Sequence, residues 1–92
     1  THGTGTKLGD SIEIAALKQI FNNQDGLHQC ALGSIKSNIG HTNTAAGIIG
    51  LIKTILCLYY KKIPATLHYK QANPELHLDE SPFYVNDKLR DW

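Results

Sequence analysis

The feature that most constrains the fold is the segment NTAAGIIGLIKTILCLYY, residues 43–60, whose only charged residue is Lys53. Asn43 and Thr44 are residue types that cap helix N-termini, so the segment predicts a helix of about sixteen residues. A helix that is apolar on almost every side must be buried on almost every side. A chain of 92 residues with one other good helix candidate supplies too little protein for that burial. We therefore expect further protein to cover this helix.

Composition and charge narrow the classes of partner. The apolar segment is shorter than the roughly 20 residues of a membrane span and carries a lysine at its middle, so we predict no membrane partner. Nine Lys and Arg balance eight Asp and Glu, for a formal charge of +1, which does not indicate nucleic acid binding. Cys30 and Cys57 lack CxxC spacing and lie among apolar residues, which favours free buried thiols in a reducing cytoplasm. The chain starts without Met, inside a motif, and shows no secretory signal, so we expect a cytoplasmic piece of a longer protein.

The first third of the chain predicts a helix and then a strand. DSIEIAALKQIF, residues 10–21, places apolar residues at helical spacing, with Asp10 as N-cap and Glu13 at the capping-box position. The stretch NNQDG that follows it contains helix-stop residues. CALGSI, residues 30–35, is short and apolar and predicts a buried strand, followed by the polar loop KSNIGH.

The last third of the chain loses helical periodicity. Pro64, Pro74 and Pro82 interrupt it, so we predict a long irregular excursion. The excursion ends in a short predicted strand, FYVN, residues 83–86.

The opening stretch THGTGTKLGD raises the possibility of a phosphate-binding loop. A Walker P-loop requires Gly-Lys followed by Ser or Thr, whereas here Lys7 follows a threonine and precedes a leucine. A dinucleotide fingerprint requires Gly-x-Gly-x-x-Gly, and Gly3, Gly5 and Gly9 are one residue too widely spaced. A nucleotide-binding oxidoreductase therefore remains only a remote alternative.

Histidine placement suggests chemistry at two positions only. The five histidines and two cysteines form neither HExxH nor a paired CxxC array, so no metal site is predicted. His28, His68 and His77 lie in polar or turn-rich stretches and are interpreted as surface histidines. His2 and His41 instead adjoin glycines in the loops HGTGT and NIGH, where the backbone can approach a substrate closely.

Two imidazoles beside one carbonyl oxygen can stabilise an oxyanion or an enolate, because each can donate a hydrogen bond where negative charge develops. Lys36 lies five residues before His41, at the exit of the predicted strand, and strengthens that interpretation. The hydroxyls of Thr4 and Thr6 can bind a substrate amide or carboxylate, or can satisfy the backbone of their own turn. Both alternatives remain open for the threonines.

Three segments in fixed order carry a family resemblance: HGTGTKLGDSIEI, SIKSNIGHTNTAAGIIGLIK and IPATLHYKQANPELHLDESPFYVND. Together they resemble the ketosynthase domains of modular polyketide synthases and, more broadly, the beta-ketoacyl synthases of fatty-acid synthesis. The resemblance implies an α/β, thiolase-like layered fold, of which residues 1–92 are a fragment of the C-terminal half, with no separate domains. It also explains the apolar helix, since the complete fold stacks helices between two sheets.

The resemblance implies decarboxylative Claisen condensation of an acyl thioester with malonyl-acyl carrier protein, in a Cys-His-His site. By the HGTGT and NIGH matches, His2 and His41 are the two catalytic histidines that stabilise the enolate, and Lys36 supports them. Thr4 and Thr6 match threonines that contact the phosphopantetheine arm. No cofactor is bound directly, because the substrates are carried on the phosphopantetheine of an acyl carrier protein. The implied partners are the remainder of the ketosynthase domain, that carrier protein and a second copy in a homodimer.

Two departures from the family pattern bear on activity. Asn43 stands where polyketide ketosynthases commonly have Glu, so any ion pair of that Glu is absent. Neither Cys30 nor Cys57 lies in the family's nucleophile motif, so the chain alone is expected to be inactive. The main alternative is a non-elongating, ketosynthase-like domain that binds acyl chains without condensing them. A plain interaction module is a further alternative, which the grouping of His2, His41 and Lys36 disfavours.

Overall fold

The structure, a computed structural model, describes residues 1–21 and 29–92 and has an α/β arrangement. Its helices are α1 (Lys7–Phe21), α2 (Lys36–Ile39) and α3 (Ala46–Tyr60). Its strands are β1 (Cys30–Leu32), β2 (Lys62–Ile63), β3 (Phe83–Val85) and β4 (Arg90–Asp91). The predicted stop signal NNQDG and His28 lie outside the described residues.

Helix α1 begins at Lys7 and its N-cap is Thr6, four residues before the predicted N-cap, so the assignment of Asp10 as N-cap is wrong. The Thr6 hydroxyl accepts a hydrogen bond from the N–H of Gly9 (3.2 Å), and the Thr6 carbonyl accepts one from Asp10 (3.0 Å). This is the geometry of a threonine N-cap. A β carbon at Gly9 would lie 2.6 Å from the Thr6 hydroxyl oxygen, so a larger residue there would displace the cap.

Strands β1 and β3 form a parallel pair, with Cys30 opposite Phe83 and Leu32 opposite Val85. Both strands occur at the predicted positions, but they are shorter than the predicted ranges 30–35 and 83–86. The chain leaves this sheet after Leu32 and bends at Ile35. Leu32 and Phe83 enter the core beside each other, so the short pair fixes where the following turn emerges.

Part of the stretch KSNIGH is helical, so its prediction as an entirely irregular loop is wrong. The carbonyl of Ile35 accepts hydrogen bonds from the N–H groups of Asn38 (2.9 Å) and Ile39 (3.3 Å), which closes the single turn of α2. Gly40 ends this turn with φ of 75°, a left-handed conformation that glycine adopts without strain. His41 therefore follows directly after the C-cap of α2.

The predicted helix over residues 43–60 is present as a short 3₁₀ turn, Asn43–Ala45, followed by α3. The segment Asn43–Tyr60 is long and apolar enough to cross a membrane by length and composition alone, yet none of it is buried within the described chain. Most of its large apolar side chains are about half exposed or more, including Ile48 (56%), Ile55 (54%) and Tyr59 (77%). The amphipathic packing that normally covers a globular helix is therefore missing on most of its faces.

The excursion after α3 contains more regular structure than predicted. Strands β2 and β4 pair in antiparallel register, and the 3₁₀ turns Pro74–Leu76 and Leu78–Glu80 lie between β2 and β3. Asn86 fixes the returning chain: its amide nitrogen lies 3.1 Å, 2.8 Å and 2.7 Å from the carbonyl oxygens of Ile63, Pro64 and Lys88. Two-residue strands carry too little hydrophobic alternation to be recognised in a sequence.

The core is small and joins α1, the parallel strands and the excursion. Its buried members are Ile14, Leu32, Leu78 and Phe83. The Phe83 ring meets Phe21 of α1 edge to face, with 5.6 Å between ring centroids. Lys18 donates hydrogen bonds to the carbonyls of Leu76 (2.6 Å) and His77 (2.9 Å), which fastens the excursion to α1. The stretch before α1 and the stretch after β1 thus emerge from one packed unit.

Candidate active site

The carboxylate of Glu13, on α1, holds the loop HGTGT in place. One Glu13 oxygen accepts a hydrogen bond from the backbone N–H of His2 (2.7 Å), and the other accepts one from Gly3 (3.0 Å). Glu13 thus does bind backbone N–H groups, but in the preceding loop rather than at the predicted capping-box partner. Gly3 has φ of 48°, and a β carbon there would lie 3.0 Å from the β carbon of Ser34. Glycine at this position lets the two loops touch.

Hydrogen bonding holds the pKa of Glu13 below its ordinary value of 4.5. Burial is the largest influence and by itself raises the pKa of this carboxyl. The hydrogen bonds from Gly3 and His2 act in the opposite direction, and together with nearby positive charge they outweigh the burial. Glu13 is therefore a carboxylate at neutral pH, with its charge directed at the backbone of the histidine loop.

The backbone N–H groups of the loop HGTGT are engaged by carboxylates of the chain itself. The N–H groups of His2 and Gly3 are directed at Glu13, and the N–H of Gly5 is directed at the Asp10 carboxylate (3.3 Å). A phosphate loop needs such N–H groups free and pointing at the ligand. The geometry therefore opposes the nucleotide-binding alternative.

Ser34 and Lys36 connect the turn after β1 to the histidine loop. The Ser34 hydroxyl accepts a hydrogen bond from the Lys36 N–H (3.3 Å) and lies 3.5 Å from the His2 carbonyl oxygen. The Lys36 ammonium lies 3.3 Å from Nδ1 of His2 and also donates to the His2 carbonyl. Lys36 therefore contacts both the ring and the backbone of His2.

The two histidines predicted to act together are neighbours. Their ring centroids lie 5.3 Å apart, and the ring planes meet at 83°. Glu13 and Ser34 contact the backbone of His2 and hold it in place. The α2 turn and Gly40 position His41. Residues distant in sequence thus form one grouping of two imidazoles and the Lys36 ammonium.

Hydrogen bonds assign the same tautomer to both rings. The ammonium of Lys36 has only donor hydrogens, so His2 Nδ1 accepts from it. The backbone N–H of Asn43 donates to Nδ1 of His41 (3.0 Å), so this nitrogen is also an acceptor. Asn43 has φ of 50°, and asparagine tolerates this left-handed conformation better than most residues. Each neutral ring therefore carries its hydrogen on Nε2 and presents that nitrogen as a donor.

The two threonines of the loop lie together, with 3.2 Å between their hydroxyl oxygens. Thr6 also serves as the N-cap of α1, so the structural alternative raised for its hydroxyl is realised. Both residues are exposed.

Among the residues that the structure describes, the remaining candidate groups do not form a second site. Cys30 and Cys57 are free, and each is half-buried rather than buried as expected. Cys57 lies on α3, which has no buried residue. Over residues 1–21 and 29–92, no three His, Cys, Asp or Glu side chains are grouped closely enough to hold a metal ion.

Two residues position the site in ways that the sequence does not reveal. The pattern around Glu13 indicates a backbone-capping side chain but points to the wrong N–H groups, because it places the cap of α1 too late. Ser34 falls within the predicted strand, which hides its contacts with the histidine loop. Its nearness to Lys36 in the sequence is the one signal that could indicate a role.

Comparison with known proteins identifies relatives along the whole chain. The family described as beta-ketoacyl synthase, C-terminal domain, matches residues 1–70. A subunit of the phenolphthiocerol/phthiocerol polyketide synthase of Mycobacterium tuberculosis is 59% identical over 93 residues, covering 99% of this chain and 6% of that protein. Polyketide synthase PksM of Bacillus subtilis is 48% identical over 92 residues, covering 99% of this chain and 2% of that protein.

Solved structures agree with these sequence relatives. The ketosynthase from module 1 of the bacillaene synthase of Bacillus amyloliquefaciens superposes with a TM-score of 0.94 at 46% identity, covering 99% of this chain and 16% of that one. The module 6 ketosynthase of Bacillus subtilis gives 0.93 at 47% identity, covering 99% and 16%. The fold is thus a fragment of the thiolase-like ketosynthase fold, about one sixth of the length of these solved chains. This chain belongs to the beta-ketoacyl synthase family and corresponds to the C-terminal part of the ketosynthase domain of a polyketide synthase.

Proposed function

We propose that residues 1–92 supply the two-histidine part of a ketosynthase active site for decarboxylative Claisen condensation in polyketide biosynthesis. The observation that carries this proposal is the pair of imidazoles 5.3 Å apart, each with Nδ1 engaged as an acceptor and Nε2 available as a donor. Two such donors suit an oxygen atom on which negative charge develops.

The proposed reaction begins with malonyl on the phosphopantetheine arm of an acyl carrier protein. The bond to the carboxyl carbon breaks, carbon dioxide leaves, and the bonding electron pair forms a thioester enolate. Nε2–H of His2 and of His41 donate to the enolate oxygen, and loss of one such donor costs about 3 kcal/mol of transition-state stabilisation. The enolate carbon then attacks an acyl thioester, forming the carbon–carbon bond and releasing the cysteine thiolate. That cysteine is supplied by the remainder of the domain.

The other residues have supporting roles in this proposal. The Lys36 ammonium fixes the tautomer of His2 and adds positive charge beside the enolate. Thr4 and Thr6 would contact the carrier arm, as the family resemblance implies; both are exposed, and Thr6 also caps α1. No cofactor is bound directly, because the arm of the carrier protein delivers the substrate.

Residues 1–92 act as a fragment of one ketosynthase domain and work together with the remainder of that domain. The complete ketosynthase is a cytoplasmic homodimer in this proposal. By itself it is inactive, because neither Cys30 nor Cys57 lies in the nucleophile motif that the family resemblance implies. The alternative is a non-elongating domain that loads acyl chains without condensing them. The replacement of the family's Glu by Asn43 is the observation that favours it. Against it stands the presence of both His2 and His41, whose rings lie 5.3 Å apart.

The test is His41→Ala in the complete protein, measured as carbon dioxide release from malonyl-acyl carrier protein and as acylation of the cysteine nucleophile. We expect decarboxylation to be lost and acylation to survive. His77→Asn is the matched control, because it removes an exposed imidazole and asparagine suits the φ of 49° at that position. Persistent decarboxylation with failed acylation would refute the role of His41.

Measurements on the wild-type protein test the non-elongating and the oxidoreductase alternatives. Acyl loading without carbon dioxide release identifies the non-elongating domain. Binding of NAD(P) by calorimetry would revive the oxidoreductase alternative, and we expect none.

A further inference from the structure

The single charge in the apolar helix α3 has partners that the proposed reaction does not use. The Lys53 ammonium donates to the carbonyl oxygen of Ser34 (3.1 Å) and to the side-chain oxygen of Asn38 (3.4 Å). We propose that Lys53 is a positioning residue that fastens the turn after β1 and helix α2 to α3, and thereby sets the two histidines at their working separation. Its activity test rests on the proposed condensation.

The apolar surroundings of Lys53 make its two hydrogen bonds costly to break. Lys53 is half-buried, whereas many of its neighbours along α3 are exposed apolar side chains. An ammonium on an apolar surface must keep its hydrogen-bond acceptors or carry a large desolvation cost. When further protein of the domain covers α3, exchange of these acceptors for water becomes more costly. The two oxygens are therefore held to Lys53 more firmly in the complete domain.

One acceptor leads directly to the His2 loop. The Ser34 carbonyl binds Lys53, while the hydroxyl of the same serine meets the N–H of Lys36 and the carbonyl of His2. Lys36 in turn contacts the His2 ring. A displacement of Ser34 therefore moves both the backbone of His2 and the ammonium that fixes its tautomer.

The second acceptor leads to His41. Asn38 is in the single turn of α2, and Gly40 closes that turn by donating to the carbonyl of Lys36 (2.9 Å). His41 follows at once, so an α2 turn that slides along α3 carries the ring with it. Lys53 thus contacts both supports of the imidazole pair from a helix that contains neither histidine.

The experiment compares Lys53→Met with Thr54→Val in the complete ketosynthase-containing protein. Methionine preserves an unbranched apolar stem but removes the donor. Thr54 is an adjacent residue whose hydroxyl donates to the Gly50 carbonyl of its own helix (3.0 Å). We expect Lys53→Met to lower kcat for carbon dioxide release about 10- to 100-fold, because misplacement by about 1 Å can cost 100-fold. KM for malonyl-acyl carrier protein and the rate of cysteine acylation should stay within about twofold. Thr54→Val should match wild type.

Hydrogen–deuterium exchange provides a measurement that does not depend on the reaction. Peptides covering residues 34–41 should exchange faster in Lys53→Met than in wild type, while peptides of β3 should not change. Asn38→Ala removes one of the two acceptors of Lys53 and should give a smaller increase in the same peptides. It replaces Lys53→Met in this experiment if that variant does not fold.

The possible outcomes separate this proposal from the proposed function. If wild-type protein releases no carbon dioxide, the proposed function fails, and the exchange experiment still tests Lys53. Unchanged exchange in residues 34–41, or an unchanged kcat, overturns the positioning role. Equal losses of acylation and decarboxylation also overturn it, because they indicate general destabilisation.

Discussion

Glu13→Gln in the complete protein is the most informative change to the histidine loop. The carboxylate oxygens accept hydrogen bonds from the N–H groups of His2 (2.7 Å) and Gly3 (3.0 Å). Glutamine keeps one acceptor and turns an NH₂ group toward the other N–H, so one hydrogen bond is lost and the second loses its charge. Hydrogen bonds to charged groups contribute about 1.5 to 3 kcal/mol each, and we take the lower end because Glu13 is only half-buried.

A loss of about 1.5 kcal/mol lowers the ratio of ordered to released loop about tenfold. We therefore expect faster hydrogen exchange in residues 1–6, together with a decrease in kcat for decarboxylation of up to about tenfold. Glu80→Gln, the same change at an exposed carboxyl, is the matched control. If Glu13→Gln exchanges and decarboxylates like wild type, Glu13 does not hold the loop.

The pH dependence supplies a second check on the same residue. The pKa of Glu13 in the folded chain lies below its ordinary value of 4.5, so the carboxylate stabilises the folded state. This contribution is complete above the ordinary value and is lost as the pH falls through the lowered value. The wild-type protein should therefore be more stable than Glu13→Gln at neutral pH and should lose this extra stability only below about pH 4.5. An advantage that disappears between pH 6 and 8 would contradict the assignment.

Two further predictions concern stability. Asn86→Asp places a carboxylate against the three carbonyl oxygens that the asparagine amide now faces, so we expect the complete domain to lose more than about 3 kcal/mol, read as a lower urea midpoint. An unchanged urea midpoint would show that the Asn86 contacts do not stabilise the domain. The isolated 92-residue chain should show no cooperative thermal transition by circular dichroism, because α3 has no buried residue of its own. A sharp melt would count against its dependence on further protein.

Several elements follow from the sequence because one physical signal dominates each of them. The long apolar run predicts α3 and its lack of partners, and the short apolar runs predict the parallel strands β1 and β3. The grouping of His2, His41 and Lys36 also follows, though from motif resemblance and loop chemistry rather than from any calculation of distance.

The errors share a different cause, which is competition between polar groups for backbone partners. Asp10, Thr6 and Glu13 all qualify as capping residues, and only the folded loop decides which N–H group each one receives. The single turn of α2 is too short for periodicity to reveal. The contacts of Lys53 join segments that only the tertiary fold brings together, so the sequence marks the residue as unusual without showing its partners.

The parallel pairing of β1 with β3 has a consequence for the order of synthesis. Cys30 leaves the ribosome long before Phe83, its partner across the sheet, and everything that carries His41 lies between them. The parallel pair that precedes the turn carrying Lys36 and His41 is therefore complete only after Phe83–Val85 has emerged and docked. Contacts between such distant segments form slowly, so a nascent chain exposes the apolar α3 from the time Tyr60 emerges. Closure of the β1–β3 pair is thus a late event, and it leaves α3 as apolar surface that only further protein can cover.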